Sequence, residues 1–198
     1  MTISMKGLLA AAVASILANS AMAADGTINF TGDIVAASCN ITGGAGTNVG
    51  GGKGNQTIDV SLGKVSIDAL GGTAGGGIAG STNINLDLDC GNTGTGLTTV
   101  KLKFDPLSGS GIDSNNISLL KVAGDATGVG IGIYDNTGKL LNLSANETID
   151  APLVKAGTEP NLTYSAKLDL RAGYVKSGAA TPTAGTANGT LPFTLTYN

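Results

Sequence analysis

The sequence predicts an all-β protein built as a sandwich of antiparallel strands. Apolar and polar residues alternate over short runs along most of the chain, which is typical of strands with one buried face and one wet face. The 32 glycines cluster between these runs, where they favour turns and loops. No helical pattern is longer than about two turns, and residues 66–70 are the one candidate for a short helix.

The alternating runs follow one another at the spacing of an antiparallel sandwich. Residues 135–138, Asp-Asn-Thr-Gly, predict a hairpin turn, and the apolar residues of 140–143, Leu-Leu-Asn-Leu, follow it. The glycine-rich stretches 43–54, 71–80 and 91–96 are predicted to be loops. The apolar residues of the runs are Ile58, Val60 and Leu62; Ile84, Leu86, Leu88 and Cys90; Val100, Leu102 and Phe104; Val129, Ile131 and Ile133; and Leu162, Tyr164, Ala166, Leu168 and Leu170.

Two further alternating segments lie near the two ends of the chain. Residues 27–34 and residues 191–198 both read as strands with one apolar face. The first precedes the first cysteine, and the second runs to the last residue. Strands in these positions suggest sheet edges intended for other subunits, so the pattern points to assembly rather than to catalysis.

The apolar phase of the N-terminal segment changes by one residue. Apolar residues occupy even positions up to Ile34 and odd positions from Val35 through Ala37 to Cys39. A shift of one residue turns every side chain to the opposite face of a strand. The segment therefore serves two different cores, or else contains a β-bulge within one strand.

Residues 1–23 have the features of an export signal. Lys6 gives a positive start, residues 7–18 form a short apolar stretch, and Ala21-Met22-Ala23 fits the small-residue cleavage pattern. The alternative is a buried N-terminal helix. With the signal removed, the mature chain begins at Ala24 and has the length of about one ordinary domain. The apolar stretch is too short to span a bilayer, and no later segment is long enough, so no membrane insertion is expected.

Composition argues against nucleic acid as a partner. The net charge is −3, the basic residues are scattered, and the chain has only four tyrosines and three phenylalanines. A nucleic-acid surface needs clustered Lys and Arg with aromatic platforms. The low charged fraction of 13% suits instead a protein whose surface is largely covered by neighbours.

The chain contains two cysteines, Cys39 and Cys90. In an exported protein they predict one disulfide, because the route passes through an oxidising compartment. The chain-entropy model values a loop of roughly 50 residues at about 4 kcal/mol. Two free thiols or a partial metal site are the alternatives, although two sulfurs without histidine do not complete a zinc site.

No arrangement of residues predicts an enzyme, a metal site or a cofactor. The chain has no histidine, which removes the commonest general base and the commonest metal ligand. Asp87 and Asp89 share a strand face and could form a pair of acids, but their alternation with leucines favours a solvated outer face. Residues 135–138 lack the ligand spacing of a calcium loop.

Several motifs combine into the pattern of one known family. Residues 24–32, Ala-Asp-Gly-Thr-Ile-Asn-Phe-Thr-Gly, precede Cys39, and an alternating strand, residues 84–90, leads to Cys90. Together with the export signal, these motifs resemble chaperone–usher pilins of the type 1 fimbrial class over nearly the whole mature chain. The other matching features are residues 128–135, a central strand and turn; Tyr174, Val175 and residues 178–182, a last loop; and a C-terminal motif of Gly185, Phe193 and Tyr197.

The resemblance implies an incomplete immunoglobulin-like β-sandwich that lacks its last strand and is completed in trans. It divides the chain into a signal (1–23), a donor-strand extension (24–35) and a pilin domain (36–198). The donated row would be Ile28, Phe30, Gly32 and Ile34, with Gly32 placed where the groove is too shallow for a side chain. The residues expected to line or abut the receiving groove and to contact the chaperone are Gly185, Phe193, Leu195 and Tyr197.

The resemblance also implies the partners and the location. Neighbouring pilin subunits, a periplasmic chaperone and an outer-membrane usher would bind the chain, which would end in a cell-surface fimbrium that supports adhesion. Pro192 departs from a regular last strand because it removes a backbone donor, which leaves the register near Leu191 open. The alternative function is a self-contained secreted β-sandwich that binds a glycan or a protein; a secreted hydrolase is a third, weaker alternative.

Overall fold

An apolar core is shared by a large and a small β-sheet, and a separate two-stranded hairpin packs against this core. The computed structural model describes residues 39–44, 47–70, 78–178 and 180–198. These residues form β1 (Asn40–Gly43), β2 (Thr47–Gly52), β3 (Asn55–Val60), β4 (Ala79–Gly91), β5 (Thr99–Phe104), β6 (Leu120–Lys121), β7 (Val129–Tyr134), β8 (Thr148–Pro152), β9 (Val154–Ala156), β10 (Thr163–Lys176) and β11 (Phe193–Tyr197). Short 3-10 helices cover Ile67–Ala69, Asn92–Gly94, Pro106–Ser108 and Leu143–Ala145.

The large sheet has the order β1-β4-β10-β7-β6, with β9 added beside the start of β10. All its pairings are antiparallel. The central strands β4 and β10 are 13 and 14 residues long, and their inward side chains alternate with exposed ones as the sequence predicts. Leu88 and Leu168 are 1% and 2% exposed, because each lies on the inward face of a central strand.

The small sheet has the order β11-β5-β8. Its middle strand β5 contributes Val100 and Leu102, both completely buried or nearly so, at 0% and 1% exposure. β11 lies at the margin and pairs with β5 from Phe193 opposite Phe104 to Tyr197 opposite Val100. The predicted C-terminal strand is confirmed, although it begins at Phe193 rather than at residue 191.

The hairpin of β2 and β3 corrects one loop prediction. Residues 43–54 were expected to be a loop, but Thr47–Gly52 forms a regular strand that pairs with β3 from Val60 to Asn55. The prediction was wrong because glycine weakens a strand without forbidding the backbone ladder. The apolar row Ile58, Val60 and Leu62 was predicted correctly and packs against the core.

The predicted turn between β7 and the following segment is confirmed. The Asp135 N–H donates to the Lys139 carbonyl at 3.0 Å, and the Gly138 N–H donates to the Asp135 carbonyl at 3.1 Å. Gly138 has φ +85°, a conformation that suits glycine. Beyond the turn Leu140 forms an isolated bridge with Tyr134, and the Leu141 N–H donates to the Ile133 carbonyl at 2.8 Å. The pairing ends there, and the chain enters a 3-10 helix at Leu143.

The disulfide joins Cys39 to Cys90 and leaves no free cysteine in the chain. β1 pairs with β4 so that Asn40 lies opposite Asp89, which places the two cysteines opposite each other at the next position. Both are buried, at 3% and 1% exposure. Cys39 thus continues the odd apolar phase into Ile41, which is also buried; the preceding members of that phase, Val35 and Ala37, lie outside the described residues.

Helical structure is scarce in the described part of the chain. The short helix expected at residues 66–70 is confirmed as a 3-10 helix at Ile67–Ala69. No helix among the described residues has both the length and the apolar character needed to cross a bilayer.

Candidate functional site

The core opens to solvent through a groove of about 1160 Å³. One wall is formed by residues 54–63, which include all of β3, and the other by residues 187–197, which include β11. Ordinary small-molecule pockets have volumes of roughly 300–1,000 Å³. The floor consists of core side chains from both sheets, including Ile84, Leu86, Leu102, Leu120, Ile131 and Ile133.

Apolar side chains along both walls are only half-buried. Ile58, Val60 and Leu62 form the row on the β3 wall, with exposed residues between them. The opposite row has the same period of two and is also half-buried. Two facing apolar rows with partial cover indicate a core from which one strand's worth of side chains is missing. The opposite row consists of Leu191, Phe193, Leu195 and Tyr197.

β11 has one paired edge and one edge without a strand partner among the described residues. On the paired edge, Asn198 and Thr99 lie opposite each other and exchange two backbone hydrogen bonds of 3.0 Å. In an antiparallel ladder every second residue bonds to the partner strand and the residues between them point the other way. The backbone groups of Phe193, Leu195 and Tyr197 therefore point away from β5, along the same edge that borders the groove.

The alternation also answers the question that Pro192 raised. The Asp105 N–H donates to the Pro192 carbonyl at 2.8 Å, so Pro192 belongs to the set of residues that face β5. The N–H that proline lacks would have pointed toward Asp105. The open edge of β11 consequently keeps its donors, and the register beyond Pro192 is regular from Phe193 to Tyr197.

The structure brings three of the four predicted groove residues together. Phe193, Leu195 and Tyr197 all line the groove. Gly185, predicted to line or abut the groove, is not among the lining residues; a side chain there would meet the backbone of Asp125 and Ala126. Gly185 is therefore required by close packing between two loops. The predicted donor row, Ile28, Phe30, Gly32 and Ile34, lies outside the described residues.

Sequence reasoning missed Gln56, which also lines the groove. Gln56 precedes Ile58, Val60 and Leu62 in the same inward row of β3, so it is the polar member of an apolar row. That exception was the available signal, since a polar side chain on an inward face needs hydrogen-bond partners. Its amide bonds to the backbone of Ile41.

The groove is almost free of charge. Asp59 is the one charged residue among the described residues that line it, and its side chain lies on the exposed face of β3. Burial raises the pKa of Tyr174 above its ordinary value, and its hydroxyl donates to the Ala187 carbonyl at 2.7 Å. Within the described ranges no three His, Cys, Asp or Glu residues are grouped closely enough to hold a metal ion. The groove thus suits a neutral, apolar occupant.

The family model of fimbrial proteins matches residues 28–198. This chain belongs to the fimbrial protein family. A type-1 fimbrial protein subunit of Serratia marcescens is 32% identical over 193 residues, which is 96% of each protein. The long polar fimbria protein A of Salmonella typhimurium is 33% identical over 190 residues, or 96% of this chain and 93% of that protein.

The same fold occurs in a solved structure of a chaperone–usher pilus that reveals the molecular basis of rod uncoiling. It matches with a TM-score of 0.54 and 26% identity, over 87% of this fimbrial chain and 95% of the other. The fold is an immunoglobulin-like sandwich without its last strand, as predicted. The fimbrial chain is a structural pilus subunit that is exported through the periplasm to the cell surface. This family favours the pilus subunit over the self-contained binding module.

Proposed function

We propose that this fimbrial subunit polymerises by donor-strand exchange, in which residues 27–34 of one copy enter the groove of the next. The observation that carries the proposal is the open edge of β11 beside two half-buried apolar rows. An incoming strand would add backbone bonds to β11 and fill the groove with its apolar side chains. The occupant is therefore a segment of a second copy of the same chain, or of a related pilin.

The two rows match in number and length. The donated row is Ile28, Phe30, Gly32 and Ile34, and the receiving row is Leu191, Phe193, Leu195 and Tyr197. Each has four members at a period of two. At roughly 3.3 Å per residue each row is about 20 Å long. Gly32 would lie where the groove leaves no room for a side chain.

The chemistry of the two surfaces also agrees. The donated row carries no charge, and the groove lining is nearly uncharged, so neither surface must bury an unpaired ion. Burial of three large apolar side chains would contribute about 5–9 kcal/mol as an upper estimate, in addition to the new backbone bonds. Both contributions would oppose the loss of a subunit from a fibre.

The same open groove requires protection before assembly. An exposed apolar groove beside a free strand edge pairs with other chains and aggregates. We therefore infer that a periplasmic chaperone lends a strand to β11 during export. The exchange would then take place at an outer-membrane usher. Phe193, Leu195 and Tyr197 would be the residues that the chaperone contacts. The chain acts in this scheme as a structural subunit without catalysis.

Two complementary variants test the proposal. Phe30→Glu disrupts the donated row and keeps the groove, whereas Leu195→Glu disrupts the groove and keeps the donated row. The unmodified chain should give an SDS-resistant ladder of multimers before boiling, and each variant alone should lose it. Co-expression of the two, with tags of different size, should yield one SDS-resistant heterodimer and nothing longer, because a single extension fits a single intact groove.

Matched controls change the neighbouring residues on the opposite face. The Thr194 side chain lies on the exposed face of β11, and Asn29 alternates with the donated row in the sequence. Asn29→Glu and Thr194→Glu add the same charge, and both should keep the full ladder. A soluble, stable monomer from the unmodified mature chain, with its own residues 27–34 in its own groove, would overturn the proposal. A ladder of multimers from Phe30→Glu alone or from Leu195→Glu alone would also contradict it.

A further inference from the structure

β1 is a second strand whose free edge borders the groove. It pairs with β4 on one side only among the described residues, and Cys39 and Ile41 at its start line the groove. A free strand edge is a template for pairing with any extended segment. An incoming strand could therefore add to β1 instead of β11, which would complete the wrong sheet.

Side-chain groups occupy the β1 edge in the structure. The Gln56 Nε2 donates to the Ile41 carbonyl at 2.9 Å, and the Ile41 N–H donates to the Gln56 Oε1 at 3.1 Å. The two bonds reproduce one rung of a β-ladder, with a side-chain amide in place of a strand. Since both Ile41 groups face away from β4, the preceding outward residue is Cys39.

The Cys39 N–H is occupied in the same way from the opposite wall. It donates to the hydroxyl oxygen of Tyr197 at 3.0 Å. Two successive outward N–H groups of β1, those of Cys39 and Ile41, thus bond to side chains of β11 and β3 respectively. In contrast, the outward groups of Phe193, Leu195 and Tyr197 on β11 have no such side-chain partner among the described residues.

The position of Gln56 is costly unless the amide has a function. The other members of its row, Ile58, Val60 and Leu62, are apolar and pack against the core. A polar side chain on such a face must satisfy both its donor and its acceptor, and the net gain from doing so is small. An apolar residue would pack there without this requirement.

We propose that Gln56 is a specificity-determining residue for strand addition: its amide closes the β1 edge, so that an incoming strand pairs with β11. The inference rests on the proposed strand exchange and names the residue that directs it. The tethered amide competes with any incoming backbone at Ile41, and Tyr197 excludes the adjacent position at Cys39.

Amide-resolved hydrogen–deuterium exchange tests this role. The full-length chain without its signal is kept dilute, and the probe is an excess of a synthetic peptide of residues 24–35. Gln56→Met removes the amide at nearly constant volume, and Gln56→Ala removes it in parallel in case the larger side chain packs poorly. Gln56→Glu keeps the acceptor for the Ile41 N–H, and Thr57→Ala is the control on the exposed face of β3.

Without peptide, the Ile41 amide should exchange about tenfold faster in Gln56→Met and Gln56→Ala than in the unmodified chain. The peptide should slow that amide again in these two variants and leave it unchanged in the unmodified chain, in Gln56→Glu and in Thr57→Ala. The role of Gln56 would be overturned if Ile41 exchange is unchanged in both Gln56→Met and Gln56→Ala. It would also be overturned if exchange is faster but the peptide does not slow it.

The same exchange measurements test strand exchange and the role of Gln56 separately. Strand exchange predicts that the peptide slows the amides of Phe193, Leu195 and Tyr197 in the unmodified chain, and its failure would appear there. The role of Gln56 is decided by the Ile41 amide in the variants, whatever the β11 amides show.

Discussion

The phenolic oxygen of Tyr197 lies 3.0 Å from the backbone nitrogen of Cys39 and accepts its hydrogen bond. The two residues are 158 positions apart in the chain, so this bond joins the last strand to the first described residue. It connects the strand that is open to a partner with the disulfide that ties β1 to β4. The bond therefore stabilises one end of the groove. The backbone pairing of β11, in contrast, is with β5.

Tyr197→Phe should lower the free energy of unfolding by about 1 kcal/mol. The variant keeps the aromatic ring in the groove but leaves the Cys39 N–H without its partner. Urea unfolding at neutral pH measures the difference. Thr196→Ala, on the exposed face of the same strand, should change stability by less than about 0.5 kcal/mol. A change of less than about 0.5 kcal/mol in Tyr197→Phe as well would show that the hydroxyl contributes nothing.

The paired substitution Cys39→Ala and Cys90→Ala should lower the free energy of unfolding by about 4 kcal/mol. The disulfide spans 51 positions, and its loss mainly increases the freedom of the unfolded chain. Urea unfolding with and without a reducing agent provides the measurement. The reductant should reproduce the loss in the unmodified chain and have no effect on the double variant.

Asp135 gives the fold a pH-dependent contribution. Burial alone would raise its pKa, but hydrogen bonds from the Thr137 hydroxyl and from the N–H groups of Lys139 and Thr137 outweigh burial and lower the pKa. A lowered folded-state pKa means that the ionised carboxylate stabilises the fold above its unfolded pKa. That contribution is lost as the pH falls through the folded pKa.

Asp135→Ala should therefore lower stability at pH 7 and have a smaller effect in strong acid. The loss at pH 7 should stay within about 1 kcal/mol, because the carboxylate is largely exposed and screened by solvent. Thermal or urea unfolding across the acidic range measures the difference from the unmodified chain. Asn136→Ala, in the same turn, is the control and should show a difference that does not vary with pH.

The sequence patterns predicted the long strands well because one face of each is buried and the other wet. β4 and β5 keep the alternation, β10 keeps it up to Ala172, and the predicted inward residues, such as Leu88 and Leu168, are the buried ones. β1, β8 and β9 are three to five residues long, which is too short for a period of two to stand out. β2 was hidden by its glycines, since its ladder depends on backbone groups rather than side chains.

The groove was predictable in part for the same reason. Phe193, Leu195 and Tyr197 alternate at the end of the chain and line it. Gln56 was detectable only as the polar member of an apolar row, because its partner, the backbone of Ile41, lies fifteen positions away. Gly185 lies against the backbone of Asp125 and Ala126, a contact that a glycine in a sequence motif does not specify.

Pro192 provides a test of the edge assignment on which strand exchange depends. Pro192→Ala would add an N–H that faces the Asp105 carbonyl, on the β5 side. The new bond should offset the greater freedom of the unfolded chain, so stability should change by less than about 1 kcal/mol. The affinity for a peptide of residues 24–35 should not change, because the open edge is untouched.

Leu195→Pro makes the opposite change and removes an N–H from the open edge. Because Leu195 faces away from β5, the β11-β5 ladder keeps its bonds, whereas an incoming strand loses one. Peptide binding should weaken by about tenfold or more, the loss expected for one unmade hydrogen bond in a covered groove. Fluorescence titration with a labelled peptide compares Pro192→Ala, Leu195→Pro and the unmodified chain. Tighter peptide binding by Pro192→Ala together with unchanged binding by Leu195→Pro would contradict the edge assignment, because the added N–H would then face the incoming strand.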